Sequence, residues 1–133
     1  MKRFVLDASA LLTFLENRPG ADKLADVIRF ANQGRYRLWM SAINWGEVYY
    51  STWRLRGPGI ARKTLADIAQ LPLEICPSDL LLTRAAAELR ANHKLHYTDC
   101  FAAALAIHFQ AALATSDQDF ASIQKKIDIL WVT

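Results

Sequence analysis

Apolar positions along the chain alternate between two kinds of spacing. Phe4, Val5 and Leu6 form an unbroken run that stops on Asp7, after which "ASALLTFLE" resumes to Glu16. The first run reads as a buried strand, RFVLD (3–7). The second reads as a helix that ends before Asn17-Arg18-Pro19-Gly20. Leu24, Val27, Ile28 and Ala31 then recur at helical spacing in a stretch from Ala21 to Gly34. YRLWM (36–40) predicts a second strand, and Ser41 suits the cap of a helix running to about Arg56. Pro58 opens another helix reaching Leu71. LEIC (73–76) is a third strand, Pro77 and Ser78 introduce a helix to Asn92, and Thr98 is expected to cap a helix from Asp99 to about Gln110. AALAT (111–115) predicts a fourth strand, Ser116 to Lys126 a short helix, and IDILWV (127–132) a fifth strand. About five strands separated by helices predict an α/β fold: a central, mainly parallel sheet with helices on both faces.

With 133 residues, 53% of them hydrophobic, the expectation is a single domain over 1–133 with one core. Lys2 and Arg3 precede an apolar stretch, as in a signal peptide, but Asp7 interrupts it and no run reaches membrane-spanning length. A cytoplasmic protein with no membrane partner is expected. The two cysteines, Cys76 and Cys100, form neither a disulfide framework nor a zinc spacing, and read as reduced packing residues.

The fold class makes the acids informative. Ligands of open parallel sheets collect beyond the carboxyl ends of the strands. Asp7 sits at such an end, and Asp117 lies two residues past AALAT with Asp119 close by. Glu47 is six residues past Ser41, and Asp99 follows Thr98. Singly, Asp99 could complement a helix dipole, Asp117 could be a cap and Glu47 a solvated residue. Asp7 is flanked by apolar residues, and a buried carboxylate needs compensation. A divalent ion with oxygen ligands, Mg²⁺ or Mn²⁺, is the economical candidate.

"FVLDASALL", "SAINWGEVYY", "LHYTDCFAAALA" and "LATSDQDF", in this order and spacing, resemble the motifs of PIN-domain ribonucleases, and the chain length is similar to that of VapC-type toxins of VapBC toxin–antitoxin pairs. The resemblance covers nearly the whole chain. It implies a Mg²⁺- or Mn²⁺-dependent endoribonuclease, inhibited by a VapB-like antitoxin and usually a homodimer. Residue by residue, Asp7, Glu47, Asp99 and Asp117 match the family's acidic quartet. Asp7, Asp99 and Asp117 would hold metal, and Glu47 would orient the attacking water or serve a second ion. Asp119 matches a position that is acidic in some members, and Ser9 a small polar position able to support Asp7. Cys100 stands where Ala is more usual. The chemistry implied is in-line attack of an activated water on a backbone phosphorus, without a side-chain nucleophile.

The overall charge of +3 is unremarkable, but with the four site acids set aside, nine acids remain against sixteen bases. Such a surface favours a polyanion. Arg54, Arg56, Arg62 and Lys63 flank the RGPG turn, and Arg90, His93, Lys94 and His96 precede Asp99. The two histidines read as surface or RNA-facing rather than as a metal pair. Trp45, Tyr49 and Trp53 share one helical stripe, with Glu47 on another side, and core packing is the expected role of that stripe. Two other classes stay open: a non-catalytic RNA-binding protein of the same fold, and a metal-dependent phosphotransfer or phosphatase domain, which also ends its first strand on Asp. A dehalogenase-like phosphatase wants a second Asp two residues on, where this chain has Ser9.

Overall fold

The strands are β1 (Lys2–Leu6), β2 (Tyr36–Ser41), β3 (Glu74–Cys76), β4 (Ala112–Thr115) and β5 (Ile129–Trp131) in a computed structural model that describes all of residues 1–133. The helices are α1 (Ala8–Leu15), α2 (Ala21–Asn32), α3 (Ala42–Arg56), α4 (Pro58–Ala69), α5 (Leu80–Asn92) and α6 (Tyr97–Phe109), with a 3-10 helix at Gln118–Ile123 between β4 and β5. The sheet order is β3-β2-β1-β4-β5 and every pairing is parallel, where the sequence pattern indicated a mainly parallel sheet.

β1 is the central strand, and its apolar run is continuous because both its faces are buried. Val5, Trp39 and Leu113 point to one side and pack with α5 and α6; Leu6, Leu38, Met40 and Ala114 point to the other and pack with α1 to α4. Helix α6 is buried from Asp99 to Ala106, with Ala102, Ala103, Ala104 and Ala106 allowing it to lie close to its neighbours. Ile28 is buried, and Phe14, Leu15 and Trp45 pack against the same layer, so these early apolar residues serve the core. Along the stripe, Tyr49 meets the Trp53 ring edge-on at 5.8 Å, and the exposed Trp53 carries the Arg62 guanidinium of α4 at 5.4 Å.

At three helix starts the capping residue differs from expectation. Thr98 does not cap α6: His96 occupies the cap position and makes no side-chain cap hydrogen bond, while the Thr98 carbonyl accepts from Asn44. The helix expected from Pro77 and Ser78 is capped instead by Asp79, whose Oδ1 accepts from the Leu82 N–H at 2.8 Å. Asp7 is not the last strand residue but the N-cap of α1, and its backbone N–H still donates to Ala114 O at 3.3 Å. No helix is long and apolar enough to cross a membrane.

Candidate active site

The parallel order puts the carboxyl ends of β1 and β4 side by side, and both ends turn directly into capped helices. Asp7 is 3% exposed, and three donors reach it: Thr115 Oγ1 on Oδ2 at 2.6 Å, and Ser9 Oγ at 2.7 Å with the Ala10 N–H at 2.8 Å on Oδ1. The Thr115 hydroxyl also accepts the Asp117 N–H at 3.0 Å, and Ser9 Oγ accepts the Ser116 N–H at 3.0 Å. Ser9 and Thr115 thereby lock the start of α1 to the loop after β4. Asp117 caps the 3-10 helix by accepting the Asp119 N–H at 2.9 Å; Asp119 itself is exposed and supports the cluster through its backbone.

The other two acids arrive from helices. Ser41 caps α3 by accepting the Asn44 N–H at 3.1 Å and donates to Asn44 Oδ1 at 2.7 Å, which fixes the amide. Asn44 is fully buried, and its Nδ2 donates to Thr98 O at 3.1 Å and to Glu47 Oε1 at 3.4 Å. One amide thus ties Glu47 of α3 to the backbone immediately before Asp99 of α6. Asp99 is 7% exposed, and its Oδ2 is buried without any hydrogen-bond partner.

The four carboxylates are close enough to influence one another's protonation. Burial pushes Asp99 up to about 7, and the charges of Asp117, Asp7 and Glu47 add to the rise while His96 opposes it. Burial also pushes Asp7 up to about 6 against the pull of its hydrogen bonds from Thr115, Ala10 and Ser9, with Asp117 adding to the rise. Glu47 is raised by burial, lowered by its bond from Asn44, raised by Asp117 and lowered by His96. The exposed His96 therefore lies beside the acids. Asn44 and Thr115 were not legible as site residues from the sequence, although Asn44 stands midway between the cap Ser41 and Glu47, and Thr115 two residues before Asp117.

The donor set suits a hard divalent ion: every candidate ligand is oxygen, and Asp99, whose Oδ2 is buried without a partner, feels the charge of the other three acids. No three acidic, imidazole or thiol side chains converge tightly enough to enclose an ion by themselves. An ion that keeps several of its waters would span such a cluster. The free thiols do not compete as nucleophiles, since burial first and then carboxylate charge raise Cys76 to about 11 and push Cys100 up as well. Cavities of about 530 Å³ beside Lys2 and Asp128 and of about 470 Å³ beside Cys76 and Phe109 are lined by none of the four acids.

The PIN domain profile matches residues 4–126, which includes all four acids. This chain belongs to the PIN domain family. Solved structures carry the same fold. A chain of VapBC2 from Rickettsia felis, bound to a DNA fragment from its promoter, is 18% identical with a TM-score of 0.76, over 96% of this PIN domain and 97% of that chain. A chain of DNA-bound VapBC from Salmonella typhimurium is 18% identical with a TM-score of 0.75, over 100% of both chains. Mycobacterium tuberculosis VapC20, described as a sarcin-ricin loop cleaving toxin, is 15% identical with a TM-score of 0.72, over 90% of this chain and 94% of its own. Among curated proteins no match was found.

Proposed function

We propose that this PIN domain is a metal-dependent endoribonuclease that hydrolyses RNA phosphodiester bonds, and that it is the toxin of a toxin–antitoxin pair. The observation that carries this reading is the convergence of Asp7, Glu47, Asp99 and Asp117 from both layers of the fold, with a buried, unpartnered oxygen on Asp99. Asp7, Asp99 and Asp117 would hold the ion, Mg²⁺ or Mn²⁺. When bound, such an ion supplies a lowered pKa for the attacking water and a counter-charge for the phosphoryl oxygens.

The chain's own residues do the positioning. Ser9 and Thr115 saturate one lone pair on each oxygen of Asp7 and so fix the carboxylate's orientation. Asn44 holds Glu47 by Oε1, leaving Oε2 to orient water and accept its proton. The Asp119 backbone N–H steadies the Asp117 carboxylate by donating to its Oδ1. The solved VapBC complexes support a VapB-like antitoxin as the protein partner, and the family resemblance supports a homodimer.

The test is cleavage of RNA by the purified protein with Mg²⁺, with Mn²⁺ and with chelator. Cleavage is expected only with metal, and Asp7→Asn is expected to reduce it by several orders of magnitude, as removal of a central catalytic group does. Expression of the parent alone should arrest growth and Asp7→Asn should relieve the arrest. Cleavage that survives chelation in homogeneous protein would overturn the proposal.

A further inference from the structure

Helix α3 carries more than Glu47 on its active-site face. Tyr50, Ser51 and Arg54 follow Glu47 at three, four and seven residues, so the four residues form one stripe along the helix. None of them is buried, and Tyr50 is 49% exposed. The Arg54 guanidinium lies 5.2 Å from the centre of the Tyr50 ring. Arg54 has no carboxylate partner, whereas Arg56 lies near Glu16 at 3.9 Å and Lys63 pairs with Asp67 at 3.1 Å. At 1.5 Å per residue the stripe runs about 10 Å from Glu47 to Arg54, the length of about three stacked nucleotides.

We propose that the Tyr50–Arg54 stripe of α3 is an RNA-binding track, which seats the bases and backbone of nucleotides flanking the phosphate held at the four acids. This rests on the ribonuclease reading and adds to it where the substrate runs. A single strand needs a π-surface and a cation outside an acidic centre that would otherwise repel it. The half-exposed Tyr50 ring offers a π-surface, and Arg54, over that ring and without a carboxylate partner, offers phosphate a planar fork of donors. Of the other basic groups near the turn, Arg56 lies near Glu16 and Lys63 pairs with Asp67, while Arg62, like Arg54, lies over an aromatic ring and has no carboxylate partner. Charge complementarity favours a polyanion, and its place on the Glu47 stripe of α3, rather than on α4, makes Arg54 the contact.

The experiment uses the full chain, with fluorescence anisotropy on a labelled mixed-sequence single-stranded RNA of about twenty nucleotides in Ca²⁺ over a range of salt, alongside cleavage of the same RNA and of a trinucleotide in Mg²⁺. Arg54→Ala is expected to weaken binding of the long RNA about tenfold at low salt and to reduce the salt slope by about 0.7, the value for one lost contact to a single strand. Arg54→Lys should keep most of that slope. Tyr50→Leu should weaken binding by roughly fivefold or more with the slope unchanged, as loss of base stacking does. In both Arg54→Ala and Tyr50→Leu, KM for the long RNA should rise by more than KM for the trinucleotide, which reaches fewer of the track's contacts. Variants that match the parent in affinity, slope and KM would overturn the track while leaving the nuclease intact. A parent that neither binds nor cleaves RNA would overturn the ribonuclease reading, and the track with it.

Discussion

Asp7 and Asp99 are both buried acids, yet their surroundings differ. Asp7 accepts from Thr115, Ser9 and the Ala10 backbone, whereas Oδ2 of Asp99 has no partner. Hydrogen bonds to the ionised form restrain the rise at Asp7, and Asp99 is pushed further. Thr115→Val keeps the side chain's shape and deletes the hydroxyl that joins Asp7, Ser9 and the Asp117 N–H. It should cost about 1–3 kcal/mol in denaturant unfolding and lower RNA cleavage at least tenfold, while Thr115→Ser preserves both. Cys100→Ser should leave cleavage near the parent's rate, because the Cys100 thiol is held protonated by burial and by Asp99. At this scale Asp7 could be read from the sequence, since a carboxylate between apolar runs is costly unless used. Thr115 could not: threonine is common in strands, and only the β1–β4 register brings its hydroxyl to Asp7.

Helix starts show which local signals hold through folding. Ser41 caps α3 as its position suggests, and Pro58 opens α4. In Pro77-Ser78-Asp79 two residues compete for one cap, and Asp79 takes it while Ser78 Oγ bonds the Thr83 hydroxyl at 2.9 Å. Thr98 loses its expected place because buried Leu95 anchors the chain earlier, so α6 begins at Tyr97 and Asp99 lies within the first turn. That shift is invisible to propensity, for it depends on tertiary packing. The entrance to α2 depends on Gly20, which has φ +99° and lies so close to the chain just after β5 that a Cβ would stand 2.6 Å from the Val132 carbonyl. Gly20→Ala should destabilise by more than about 1 kcal/mol, read as a lower denaturant midpoint with unchanged m, because both the conformation and the contact forbid a methyl group.

Over the whole molecule, the acids come from elements on opposite sides of one sheet: α3 belongs to the layer on one face, α6 to the layer on the other, and Asp7 and Asp117 sit at the edge between them. The alternation of strands and helices made the fold and the sheet edge legible; the buried Asn44 bridge that joins the layers was not, because it depends on contacts between residues 54 positions apart. The cluster sets a pH dependence. With Asp7 raised to about 6 and Asp99 to about 7, the folded chain keeps protons that the unfolded chain has released above about pH 4. Without metal, stability from this source is present below about pH 4 and is lost as pH rises through 6 and 7. A divalent ion that binds only the folded state should offset the loss by mass action. Denaturant unfolding of the parent and of Asp99→Asn, at about pH 5 and about pH 8 with and without Mg²⁺, tests this most directly. The metal-free parent should be less stable at the higher pH and regain stability with Mg²⁺. Metal-free Asp99→Asn should exceed the metal-free parent there by ~1 kcal/mol and gain less from Mg²⁺. Equal pH dependence and equal Mg²⁺ stabilisation in the two proteins would contradict a shared four-acid site.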